Sequence, residues 1–160
     1  MKTKEEIAIQ MIMSAWESQV ESITKTLSVL SDEDLNSEVA LGKNRAPWIV
    51  GHLAAVNDSL STLLELGEKV NSGYDQYFNK GDMEIQIPSF TETRKYWEDT
   101  STLLIKKIAG LTANDWFQKH GHVSAEDFAK EPHRNKLNVL LSRTSHMAHH
   151  KGQLALLVKK

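Results

Sequence analysis

Residues 9–30 read IQMIMSAWESQVESITKTLSVL, and this stretch carries the pattern that decides the fold. Its apolar side chains recur at alternating steps of four and three residues: Ile9, Met13, Trp16, Val20, Ile23, Leu27 and Leu30. Such spacing places all of them on one face of an α-helix, and that face has to pack on another helix. The stretch therefore predicts a long amphipathic helix inside an all-α protein.

Three further segments show helical periodicity, which predicts four long helices. The second stripe is Ile49, Leu53, Val56, Leu60 and Leu63, and the third is Phe90, Arg94, Trp97, Ser101, Leu104, Ile108 and Leu111. The fourth segment, about 135–158, is looser; its predicted inner side is Leu137, Leu141, Ala148 and Ala155, widened by Leu140, Met147, Leu154 and Val158. Pro47 suits the first turn of the second helix, and Ser89 with Glu92 forms a capping-box pattern before the third.

The connections are long for a simple bundle. Residues 68–88 and 112–134 join predicted helices, and the alternation within 83–87 suggests a short extended piece. Connections of this length often cover a functional site. We expect a single domain over residues 1–160, folded as a four-helix bundle in which at least one connection crosses an end of the bundle.

Composition narrows the classes of function. The formal net charge is −2, so nucleic acid binding is not expected, and no apolar run approaches the length of a membrane span. The N-terminal stretch is a charged amphipathic helix and not a signal peptide, which favours a cytoplasmic location. The chain has no cysteine, so a tight transition-metal site has to use His, Asp or Glu.

The segment 145–153, SHMAHHKGQ, holds three of the seven histidines. His146 and His150 lie four residues apart, so on a helix they share one face and can hold one metal ion. A solvated, histidine-rich surface explains the same pattern, and at this point both interpretations stand. His149 is turned away from that face and is expected outside the first coordination shell or at an interface. Gln153, one turn further on, is placed to orient a ligand or a water.

His52 lies in the sequence Trp48-Ile49-Val50-Gly51-His52-Leu53, on the core-facing side of the second helix. It is either a hydrogen-bonded core histidine or a third metal ligand from a second helix. His120, His122 and His133 fall in the 112–134 connection, where surface exposure is the expectation. The chain lacks a His-Glu-x-x-His motif, a Glu-x-x-His pair, a P-loop and a dinucleotide fingerprint.

The His52 context, followed by His146-x-x-His149-His150-x-Gly152-Gln153, resembles the DinB-like (DinB/YfiT) superfamily of metalloenzymes. The resemblance covers nearly the whole chain and implies a four-helix bundle of up-down-down-up topology. It also implies that His52, His146 and His150 bind one divalent metal ion, zinc or nickel. The family pattern more often has Arg where this chain has Lys151. Homodimers are common in the family, so a homodimer is expected.

The resemblance implies an enzyme that uses a low-molecular-weight thiol, such as mycothiol or bacillithiol, as co-substrate. The metal would activate this thiol for transfer to an electrophilic small molecule. Two alternatives remain open: a hydrolase that uses metal-bound water, and a metal-binding, stress-related helical module without catalysis. No catalytic base is assigned.

Overall fold

The computed structural model describes residues 1–31, 34, 37–78 and 86–158. Within these ranges it has seven α-helices and no β-strand. The four long helices are α1 Lys4–Val29, α2 Ala46–Leu63, α4 Phe90–Ile108 and α7 Lys136–Ala155. The three short ones are α3 Asp75–Phe78, α5 Ala113–Trp116 and α6 Ala125–Lys130. The prediction of an all-α protein is confirmed, whereas most of the extended piece predicted at 83–87 lies outside the described residues.

The starts of the long helices follow the local chemistry of the sequence. Pro47 occupies the first turn of α2, where its missing N–H leaves no hydrogen bond unmade. Ser89 and Glu92 form the predicted capping box at the start of α4. A second box, from Thr3 and Glu6, begins α1. These reciprocal hydrogen bonds satisfy backbone donors that a helix start leaves without partners.

The four long helices surround one apolar core. Helix α1 packs mainly on α7 and α2 mainly on α4, with further contacts between α2 and α7 and between α1 and α4. Most of the predicted stripe of α1 is buried: Ile9, Trp16, Val20, Ile23 and Leu27. Helices α1 and α2, and likewise α4 and α7, follow one another among the long helices without being main packing partners, so the connections between them have to cross from one side of the core to the other. None of the helices in the described ranges combines the length and apolar character that a membrane span requires.

The predicted inner side of the last helix is partly wrong. Leu141 is 45% exposed, and Ala148, Ala155 and Val158 also face solvent. The buried residues of α7 are Lys136, Leu137, Leu140, Thr144, Met147, His150 and Leu154. Polar residues interrupt this buried side, so its apolar pattern is weaker in the sequence than that of the exposed stripe. What buries Thr144 and His150 is the position of α1 and α2.

A buried carboxylate fixes the connection that follows α2. Asp58 accepts hydrogen bonds from the backbone N–H groups of Val70 (2.7 Å) and Asn71 (3.0 Å). The hydroxyl of Tyr96, from α4, donates a third at 2.8 Å. Three donors compensate the desolvation of a side chain that is fully out of water. This anchor holds the segment that leads into α3, whose last residue is Phe78.

Candidate metal centre

Three histidines from two helices converge at one point. His52 comes from α2, and His146 and His150 come from α7. The Nε2 atom of His146 lies 3.2 Å from Nε2 of His52 and 3.2 Å from Nε2 of His150. The structure thus brings together the three residues that the sequence suggested as ligands. Together they could hold a metal ion.

The orientation of His52 is set by its neighbours. Its Nδ1–H donates to the backbone carbonyl of Phe78 at 3.0 Å. This bond places the proton on Nδ1 and leaves the lone pair of Nε2 directed toward the other two histidines. Trp48, one turn earlier, stacks on the imidazole ring with centroids 4.9 Å apart and planes at 8°. One bond and one stacked face therefore hold the ring in position.

Gly51 explains how Phe78 comes close enough for its carbonyl to accept the hydrogen bond from His52. A Cβ atom at position 51 would overlap the ring of Phe78, so only glycine lets this ring lie against α2. The ring is buried, and its packing fixes the backbone carbonyl beside His52. The sequence Trp48-Ile49-Val50-Gly51-His52 thus supplies the stacking partner, the space for Phe78 and the imidazole itself.

The two histidines of α7 have different surroundings. His150 is buried, and its Nδ1–H donates to Oε1 of Gln153 at 2.6 Å, which again leaves Nε2 free to face the cluster. His146 has Nδ1 out of water without a partner in the described residues. The hydrogen bond to Gln153 therefore orients the imidazole ring of His150.

Burial favours the neutral form of all three imidazoles. Burial lowers the pKa of His52, and burial likewise lowers the pKa of His150. Burial also lowers the pKa of His146 to about 4, and the neighbouring His150 and His52 add to this effect. A neutral imidazole is the form that binds a metal ion, so near pH 7 the cluster does not have to lose protons first.

The donor set fits a divalent transition metal. Zinc–nitrogen bonds of roughly 2.0–2.1 Å in a tetrahedral site put neighbouring nitrogens about 3.3 Å apart. The two Nε2 separations of 3.2 Å around His146 match that spacing. The hydrogen bonds on Nδ1 of His52 and His150 leave two bare lone pairs directed at one small volume, an arrangement that a cation stabilises.

The remaining histidines stay outside this cluster. His149 is exposed, and its ring lies edge-on to the ring of His150 with centroids 5.0 Å apart. His122 and His133 are exposed, and His120 is half-buried. The N–H of Gly121 donates to the carbonyl of Leu63, at the far end of α2. Since position 63 lies eleven residues beyond position 52, Gly121 contacts α2 about 16 Å along the helix from His52.

Sequence reasoning missed two groups near the cluster. The carbonyl of Phe78 has no side-chain signature that a sequence could reveal. Arg143, in contrast, had a signal: it lies three residues before His146 and seven before His150, so it shares their face of α7. It is half-buried, and its positive charge contributes to lowering the pKa of both His52 and His146, after burial.

Comparison with known proteins gives a family match over most of the chain. A family model described as the DinB superfamily matches residues 15–154. The matched region runs from α1 to the end of α7 and includes all three converging histidines. No curated protein matches the chain.

Proposed function

This chain belongs to the DinB superfamily, and we propose that it is a metal-dependent enzyme in which His52, His146 and His150 bind one divalent ion. The observation that carries the proposal is the convergence of three Nε2 atoms from two helices. Imidazole ligands suit zinc and nickel, which we propose as the metal. Three protein ligands are also the number that catalytic zinc sites use, because one position has to stay open.

The charge of the donor set favours catalysis over a purely structural role. Among the described residues, the cluster of potential ligands contains histidines and no carboxylate. A divalent ion held by neutral imidazoles keeps its full charge and lowers the pKa of a thiol or a water at an open position. Since the chain has no cysteine, the thiol in our proposal is a small molecule supplied from outside.

The protein's own contribution is to prepare the ligands. Phe78 and Gln153 fix the tautomers of His52 and His150, so the donor atoms face the site before a metal arrives. Trp48 covers one face of His52 and excludes water from it. A prepared site of this kind loses little conformational freedom on binding, which supports both affinity and geometry.

Metal analysis tests the site directly. Purified protein should contain, or take up, about one zinc or nickel ion per chain. The variants His52→Ala and His146→Ala should each lose most of it. His133→Ala, which removes an exposed histidine of the 112–134 connection, is the matched control and should retain it. Full metal content in both site variants would overturn the assignment.

A second experiment tests the reaction. Protein loaded with zinc or nickel is mixed with an electrophile, 1-chloro-2,4-dinitrobenzene, and with bacillithiol or mycothiol. We expect conjugation that requires both the metal and the thiol and that is absent in His52→Ala. If the loaded protein instead hydrolyses ester substrates without any thiol, the metal activates water and the transferase proposal fails. If neither activity appears with the metal bound, a non-catalytic module is the better description.

We also propose the up-down-down-up bundle that the family resemblance implies. For each pair of neighbouring helices, residues that lie close together at two positions along the pair indicate whether the helices run parallel or antiparallel. The contacts are His52–His146 and Glu65–Lys136 for α2 with α7, Asp58–Tyr96 for α2 with α4, and Thr24–Trp97 for α1 with α4. In addition, Gly67 lies close to the ammonium group of Lys107, and Ile9 and Ile108 line one cavity. They favour α2 parallel to α4, with α1 and α7 running the opposite way.

A further inference from the structure

Arg143 lies on the same face of α7 as the converging histidines. It precedes His150 by seven residues, almost two full turns, which places the two positions about 10 Å apart along the helix axis. His146 lies between them. The positive charge of Arg143 acts on both His52 and His146, so the guanidinium is within electrostatic reach of the site from two helices.

This arginine lacks the partner that a half-buried cation normally has. No carboxylate in the described part of the chain forms an ion pair with it. Its Nε atom is out of water and has no hydrogen-bond acceptor there. Burial lowers the pKa of Arg143. Leaving a charged donor desolvated and unpaired is costly, and in a stable protein it calls for an explanation.

We propose that Arg143 binds a carboxylate of the small molecule that reaches the metal centre, and so selects anionic substrates. The inference rests on the proposed function, since it needs a ligand at the three histidines. The guanidinium is a planar fork that matches the two oxygens of a carboxylate. Its distance along the helix from His150 leaves room for a short carbon chain between the carboxylate and the group at the metal.

A neutral ligand would not explain why the half-buried guanidinium of Arg143 has no ion-pair partner in the described part of the chain. A bound anion satisfies the buried Nε and neutralises the guanidinium at once. A neutral substrate would do neither, so the free-energy cost of desolvating the guanidinium would not be offset.

The test is calorimetric titration of the zinc-loaded protein with two matched thiols. 3-Mercaptopropionate carries a carboxylate, and 3-mercaptopropan-1-ol replaces it with a neutral hydroxyl. If the thiol carries the recognised carboxylate, the anionic probe binds at least about tenfold more tightly, as expected for a charge-assisted hydrogen bond. If the electrophilic substrate carries the recognised carboxylate instead, propionate should bind to protein that is already saturated with 3-mercaptopropan-1-ol.

Variants show whether Arg143 causes the preference. Arg143→Met should keep zinc and its affinity for 3-mercaptopropan-1-ol, and should lose the preference for the anion. Arg143→Lys keeps the charge without the fork and should show an intermediate preference. Arg94→Met removes the same charge from an exposed ion pair with Glu98 on α4 and should behave as wild type.

The outcomes separate this inference from the function on which it rests. A wild-type protein that binds no metal overturns the proposed function and the inference with it. Zinc binding without any preference for an anion overturns the inference alone. A preference that survives unchanged in Arg143→Met also overturns it, because the charge of the metal would then account for the whole effect.

Discussion

Gln153 contacts the candidate metal centre through a hydrogen bond to His150. It accepts the Nδ1–H of His150 at 2.6 Å, which holds the imidazole ring with Nε2 toward the other histidines. We predict that Gln153→Leu lowers zinc affinity by about 10–100-fold, the usual effect of removing such an orienting partner. Gln153→Glu keeps an acceptor at the same place and should retain the affinity.

Competition with a chromophoric chelator measures both variants. Equal affinity in wild type and Gln153→Leu would show that packing alone orients His150. The comparison also separates orientation from folding, because both variants should give the same helical circular dichroism.

At the residue scale, the sequence indicated which histidines come together, but not the backbone group that hydrogen-bonds to His52. His52, His146 and His150 could be selected because helical spacing places each on a partly buried face, and the structure brings their Nε2 atoms together. Their role as metal ligands stays a prediction. The support from Phe78 could not be foreseen, because a backbone carbonyl reaches His52 only through the fold of the connection after α2.

Two helical glycines should respond in opposite ways to the same substitution. A Cβ at Gly51 overlaps the buried ring of Phe78, whereas a Cβ at Gly152 has open space around it. Gly51→Ala should therefore destabilise the protein by about 1–3 kcal/mol, the usual cost of overpacking. Gly152→Ala should stabilise it by up to about 1 kcal/mol, because alanine has the higher helix propensity.

Urea unfolding gives both free energies, and a metal titration adds a second readout. Since Phe78 carries the carbonyl that orients His52, Gly51→Ala should also weaken zinc binding. A Gly51→Ala protein with wild-type stability and affinity would mean that Phe78 shifts without consequence for the site.

The Asp58 anchor links the packing of α2 and α4 to the candidate metal centre. The pKa of the Tyr96 hydroxyl is raised mainly by burial, and the hydrogen bond to Asp58 adds to this effect. We predict that Asp58→Ala costs about 3 kcal/mol or more in unfolding free energy, because it leaves the Val70 and Asn71 N–H groups without their acceptor. Tyr96→Phe removes one hydrogen bond and should cost about 1 kcal/mol.

Denaturant unfolding of the two variants gives these losses, and zinc titration tests the link to the site. Asp58→Ala should loosen the segment that ends at Phe78 and so weaken zinc binding, whereas Tyr96→Phe should leave it nearly unchanged. Equal stability of both variants would contradict the role given to the carboxylate.

At the element scale, the buried side of a helix could be predicted where its apolar pattern is regular, but not where apolar residues lie on two sides. The stripe of α1 was predicted almost residue by residue, because its four-and-three spacing is regular along the helix, although Ile7, Met11 and Val29 are apolar and exposed. In α7, apolar residues occupy two sides, and the chosen stripe through Leu141 and Ala148 faces solvent. Which side of such a helix is buried depends on where the other helices lie, and this information is not local to the segment.

Metal binding should stabilise the whole molecule, because the ligands join α2 to α7. A ligand that binds only the folded state adds about 2.7 kcal/mol at 100 times its dissociation constant. For a protein of 160 residues, this raises the melting temperature by about 5–10 °C. Scanning calorimetry with and without zinc measures the shift, and a chelator should reverse it.

His52→Ala provides the control for this effect. It leaves the two histidines of α7 in place but removes the bridge between the helices, so zinc should raise its melting temperature little. A shift as large as that of the wild type would place the stabilising metal elsewhere on the molecule.

The exposed stripe of α7 bears on how the whole molecule assembles. Leu141, Ala148 and Ala155 recur every seven residues on a side that faces solvent in the single chain. A seven-residue repeat of apolar residues is the pattern by which two helices pack along their length. We predict that the chain is a homodimer in which the two copies meet along this stripe.

Sedimentation equilibrium tests the homodimer, with substitutions that place a charge in the stripe. Leu141→Glu and Ala155→Glu should each shift the protein to a monomer, because an unpaired carboxylate would be buried between two copies. Ile105→Glu is the matched control: it adds the same charge at an exposed apolar position on α4, which does not pack extensively on α7, and should leave the dimer intact. If the wild type sediments as a monomer, the prediction is wrong, and the stripe is a surface that the fold leaves uncovered.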